Sequence, residues 1–136
     1  MFQNNHFPSD LCIKTCYAIM TKSDQLLSIC LEDDKFDINE HFPSMFSSDD
    51  NFLAYAVNYD YDYALNRLLK NEKLILNTID KHRLYQLLKQ KGKYRSLYHA
   101  VKHLTQENDP SIEYIKCLLL PPSTHQKNNK VKKKQQ

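Results

Sequence analysis

One glycine, Gly92, stands in a chain of 136 residues. Glycine lets a backbone take left-handed turns, approach a phosphate closely or bulge a strand, so this chain lacks most of the usual means of building tight functional loops. Phosphate-cradling loops, nucleophile elbows and dinucleotide fingerprints each need several glycines. Those architectures are therefore excluded, and the chain is expected not to be an enzyme. The apolar residues recur at helical spacing nearly everywhere, with little alternation of period two. The expected class is all-α.

The length suits one hydrophobic core and not two. A single all-helical domain is expected over residues 1–120, followed by a basic tail over 121–136. The tail, STHQKNNKVKKKQQ after its two prolines, has almost nothing apolar to offset ordering entropy and is expected to be disordered. No run of about 18 uncharged apolar residues is present, so no membrane partner is expected. The N-terminus, MFQNNHFPSD, lacks the pattern of a secretory signal. The expected setting is cytoplasmic and reducing, the host cytosol if the chain is a secreted effector, and in it the four cysteines are expected to be thiols.

About seven short helices can be placed. Ser9 and Asp10 are candidate caps for the first, which carries Cys12, Ile13, Cys16, Tyr17, Ile19 and Met20. The second follows Ser23 through Leu31, and the chain around Pro43 reads as a loop. Ser48, Asp49 and Asp50 are candidate caps for a third through Val57. The pattern breaks near Asn58–Asp62 and restarts through Leu69. A fifth helix near 79–91 buries Leu84, Leu87 and Leu88, shows Lys81, Lys89 and Lys91 to solvent and stops at Gly92. A sixth carries Leu97, Ala100, Val101 and Leu104. Asp109-Pro110 starts the seventh and Pro121-Pro122 ends it. Short connections stack these as antiparallel helical hairpins, in an ankyrin-like row or a compact bundle.

Residues 53–71, LAYAVNYDYDYALNRLLKN, resemble one unit of the ankyrin-repeat family, with Leu53, Ala56 and Val57 on its first helix and Leu65, Leu68 and Leu69 on its second. Residues 97–120 are similar with an insertion near Thr105–Pro110, and LLSICLEDDKFDIN resembles the second helix and exit of a preceding unit. The Thr-Pro-Leu-His box is missing, Asp60 replaces a turn glycine, and the spacing from Leu53 to Leu97 exceeds the family period of about 33. The resemblance implies binding of a partner protein on one face of the stack and carries over no catalytic residue.

Charge divides along the chain. Residues 1–66 carry a net of −8, residues 67–120 a net of +6, and the tail adds five lysines and no acid. Two surfaces stand out. The stretch Tyr59, Asp60, Tyr61, Asp62 and Tyr63 alternates tyrosines and acids at an interhelical turn, and tyrosine brings large amphipathic area with few rotatable bonds, as an interface anchor should. The alternative is a basic surface of Lys81, Arg83, Lys89, Lys91, Lys93 and Arg95, interleaved with Tyr85 and Tyr94, that with the tail suits nucleic acid. Cys12, Cys16, His99 and His103 form two pairs one helical turn apart that resemble a zinc set, but cysteine on an apolar stripe is more simply core. No metal and no cofactor are expected. The expected function is a protein-protein interaction module, a small effector-type inhibitor or adaptor that regulates its partner; the alternative is a helical nucleic-acid-binding protein.

Overall fold

The computed structural model of the chain describes residues 8–104. They form six α-helices: α1 (Asp10–Thr21), α2 (Asp24–Leu31), α3 (Phe52–Asn58), α4 (Asp62–Leu69), α5 (Thr78–Gln90) and α6 (Tyr94–Leu104). Each corresponds to one expected from apolar spacing. The seventh helix and the basic tail fall outside the described residues.

The helices pair as antiparallel hairpins α1–α2, α3–α4 and α5–α6. The first helices then pack in one row, α1 on α3 on α5, and the second helices in another, α2 on α4 on α6. The result is a two-layer stack in which α3–α4 is the middle hairpin.

Local chemistry sets the starts. Ser9, Ser23, Asn51 and Asn77 each accept, through a side-chain oxygen, the amide of the residue three positions on. Such a bond satisfies one of the donors a helix start leaves free, and is worth about 1 kcal/mol. The cap of α3 corrects the sequence expectation: Asn51 holds the Ala54 amide at 2.9 Å, while Asp50 is buried elsewhere.

The hairpin turns share one geometry. Lys22, Asp60 and Gly92 are the described residues with positive φ, at 55°, 56° and 70°. After Asp60 the amide of Tyr61 bonds Ala56 O, and the Asp60 amide bonds Val57 O. Lys93 with Leu88 and Gly92 with Lys89 repeat this pair, as do Ser23 with Ala18 and Lys22 with Ile19. This left-handed cap satisfies the last carbonyls and reverses the chain within a few residues. Asp60 thus takes the same left-handed position in the second hairpin that Gly92 takes in the third. Leu97 lies on α6, which pairs with α5 among the described residues; residues 105–120 of the second ankyrin-like stretch fall outside them.

The core runs along the stack. Ala18 and Ile19 of α1, Leu27 of α2, Phe52, Leu53 and Ala56 of α3, Ala64, Leu65 and Leu68 of α4, Leu84, Tyr85 and Leu88 of α5, and Leu97 and Ala100 of α6 are all buried. Alanines at these contacts let the helices approach closely. Burial of Tyr85 corrects its expected place on a basic surface.

The connections 32–51 and 70–77 run beside each other. Asn39 joins them, donating to Lys73 O at 2.8 Å and accepting from the Ile75 amide at 2.7 Å. Within the first connection, Phe42 and Asp50 form a two-way backbone bridge at 3.0 and 2.7 Å that closes a loop over residues 42–50.

Candidate partner-binding surface

α1 carries more apolar side chains than one helix face can bury. Cys12, Thr15, Ala18 and Ile19 turn inward, which leaves Ile13, Tyr17 and Met20 as a second stripe at i, i+4, i+7 on the outside. Ile13 is 55% exposed and Tyr17 54%. Opposite this stripe lies the 42–50 loop, where Met45 is 81% exposed. Between them is an apolar groove of about 360 Å3, lined on one wall by α1 and on the other by Phe42, Pro43, Ser44 and Met45, with Tyr55 and Tyr59 of the α3 segment also in its lining.

Aromatic contacts hold the loop wall in place. Phe42 packs on Phe52 at 5.0 Å and on Tyr55 at 5.6 Å, and Phe46 packs edge-on against Tyr55 and Tyr59 at 6.0 and 5.4 Å. The Tyr59 hydroxyl donates to Met45 Sδ at 3.6 Å. Burial, with a hydrogen bond to Tyr59, pushes the Tyr55 phenol up, so it stays neutral. The side-chain hydrogen bond with Cys16, with burial, likewise pushes the Cys12 thiol up, leaving it a poor nucleophile.

Polar anchors fix the loop to α5. The Asp50 carboxylate, with no exposed surface, accepts from Arg83 at 3.0 Å, from the Asn51 amide at 2.9 Å and from the Ser44 hydroxyl at 2.5 Å. His41 lies between two carboxylates, Nδ1 at 2.9 Å from Asp49 and Nε2 at 3.1 Å from Asp80. Asp80 belongs to the first turn of α5 and is buried. Burial pulls the His41 pKa down, but the hydrogen bond to Asp49 and the charges of Asp80 and Asp49 outweigh it, and the net shift is upward.

The surfaces singled out in the sequence meet each other. Lys93 Nζ sits 3.6 Å from Asp60 and 3.2 Å from Asp62, and Lys91 lies 4.0 Å from Asp60. The acids of the tyrosine turn are thus partnered by lysines of the expected basic surface, and Arg83 is taken by Asp50. Lys81 and Lys89 are half-buried and Arg95 is exposed. The three tyrosines part company. Tyr61 is buried and its hydroxyl donates to Asp24. Tyr59 joins the groove. Tyr63 is exposed, with Arg67 5.8 Å from its ring center, and hydrogen bonds with Ser28 and Arg67 pull its pKa down.

The candidate zinc residues are not brought together. Cys12 and Cys16 line the α1 groove, whereas His99 and His103 line a different depression with Asn66, Leu69 and Lys70. Among the described residues no group of three or more His, Cys, Asp or Glu side chains could hold a metal ion, and no helix is long and apolar enough to cross a membrane.

Sequence reasoning missed the second stripe of α1, Met45 and Phe46 on the loop, and the Asp49–His41–Asp80 tie. The stripe had a signal, since Ile13 and Tyr17 lie about 100° around the helix from Cys12 and Cys16. The tie had none, because Asp80 is distant in sequence.

Fold and surface together define a class: a stack of three described helical hairpins with an apolar groove between its first helix and a closed loop. No family profile, curated protein or solved structure matches the chain.

Proposed function

We propose that this chain is a protein-protein interaction module, an inhibitor or adaptor of one partner protein, and that the α1 groove is where the partner docks. The observation that carries this reading is the pairing of an outward apolar stripe, Ile13, Tyr17 and Met20, with Met45 across a preformed groove. Contiguous exposed apolar surface in a folded protein marks a binding site more often than chance, and methionine suits such a site because its flexible thioether molds to different partners. A volume of about 360 Å3 accommodates one or two anchoring side chains, the scale on which binding energy concentrates.

The ankyrin-like reading supports the same place. The resemblance implies a partner bound on one face of the stack, and the groove lies on one such face, between α1 and the loop leading into α3. The nucleic-acid alternative has less to stand on, because Arg83, Lys91 and Lys93 are engaged by carboxylates and Tyr85 is buried.

The test is affinity purification from the native host with wild type, Met45→Glu and Ile13→Glu, each checked for an unchanged melting temperature. A stoichiometric protein that co-elutes with wild type and is lost, by roughly tenfold or more, with either variant is the expected result; a buried charge at an apolar contact costs at least that much. Recovery of nucleic acid alone, sensitive to nuclease, overturns the reading.

A further inference from the structure

We propose that the Asp49–His41–Asp80 tie is a pH-sensitive latch that sets the position of the groove wall, closed when His41 is an imidazolium and loosened when it is neutral. The inference rests on the groove being the binding site only for its biological consequence; the latch itself is a property of the free chain.

Hydrogen-bond inventory supplies the argument. A neutral imidazole donates from one nitrogen and accepts at the other, whereas both nitrogens of the imidazolium donate. A carboxylate only accepts. With Asp49 at 2.9 Å from Nδ1 and Asp80 at 3.1 Å from Nε2, both bonds can be made only by the doubly protonated ring. Loss of one proton therefore turns one contact into acceptor facing acceptor. If that contact is to Asp80, a carboxylate whose side chain is 9% exposed loses its cationic partner, which is costly in a poorly solvated position.

The charged and titratable groups around His41 are Asp49 and Asp50 on its own loop, Glu40 before it, and Asp80 and Arg83 on α5. Glu40 is held by Ser9 through both its oxygens, at 3.1 and 3.0 Å, and Lys81 and His82 of α5 are engaged in contacts of their own. Arg83 remains charged throughout the accessible range, so its tie to Asp50 persists when that of His41 fails. The aromatic contacts persist too, while the bridge between Phe42 and Asp50, which joins the chain neighbors of His41 and Asp49, opens more often. The domain thus stays folded while one end of the loop, which continues directly into Phe42, Pro43, Ser44 and Met45 of the groove wall, is released.

The sign follows from linkage. Folded His41 titrates above the ordinary histidine value of about 6.5. Its contribution is complete below that pH and is lost as pH rises through the folded value.

Methionine methyl NMR on the free full-length chain tests this, because the sequence holds just three methionines and two of them, Met20 and Met45, line the groove. Between pH 6 and 8.5 the Met45 methyl signal should move with the same midpoint as the assigned His41 ring, above 6.5. Exchange at the Phe42 and Asp50 amides, corrected for its intrinsic rate, should rise on the order of tenfold over that range. His41→Gln and Asp80→Asn should each flatten both responses. A His41 midpoint at or below 6.5, a Met45 signal that does not move in wild type, or a response that persists unchanged in both variants overturns the latch. A latch that titrates as described, in a chain whose partner binds equally well to Met45→Glu, leaves the latch standing and refutes the groove reading instead.

Discussion

Asp50 shows how one residue ties a loop to a stack. Its carboxylate has no contact with solvent, and its cationic partner, Arg83, comes from a different hairpin. Removing one member of such a pair leaves a buried charge without compensation, so Arg83→Ala should destabilize the fold by roughly 3 kcal/mol. Urea unfolding at neutral pH measures it, and a loss under 1 kcal/mol would mean the pair is better solvated than its burial implies. Lys91→Ala is the control. Its partner Asp60 is 57% exposed and 4.0 Å away, and exposed pairs of this kind contribute about 0–1 kcal/mol. The sequence places all of these charges and distinguishes none of them. Arg83 and Lys91 both look like members of one basic face, and only the packing of α5 on the loop separates the structural cation from the solvated one.

At the scale of the element, the three hairpins reuse one turn with three different residues, which permits a comparison within a single chain. Gly92 takes φ +70° and a Cβ there would meet nothing within 4 Å, so Gly92→Ala costs backbone strain alone, about 1 kcal/mol. Lys22 takes φ 55° with a side chain present, and Lys22→Gly should therefore be neutral or stabilizing by a few tenths of a kcal/mol despite the added entropy of the unfolded chain. Thermal denaturation of the two variants decides it. Equal losses in both would show that the caps, and not the left-handed residues, limit the turns. Helix positions were legible in the sequence because apolar period and capping are local. The second face of α1 was not read, because a stripe is a property of the sequence and its exposure is a property of what packs beside it.

At the scale of the molecule, the acidic and basic segments of the chain meet among the described residues: Asp60 and Asp62 are faced by Lys91 and Lys93 across the second and third hairpins, and Asp50 by Arg83. Stacked hairpins stabilize one another through their neighbors, and the middle one has two. Six of the seven residues of α3 are buried. Native-state hydrogen exchange should accordingly be slowest for Ala56 and Val57 of α3 and at least tenfold faster for the outer turns of α1 and α6, which have a neighbor on one side among the described residues. Uniform protection across α1, α3 and α6 would instead mark a single cooperative bundle. Local patterns in the sequence set the class, the six described helices, the caps Ser9 and Ser23 and the hairpin pairing, since periodicity, capping and short connections act within a few residues of one another. The tertiary structure alone decided the register of the hairpins, the burial of Tyr61 and Tyr85, the partners of Asp50, Asp60 and His41, and the groove, because each depends on which distant side chain arrives at less than about 4 Å, and that is fixed by how the layers pack.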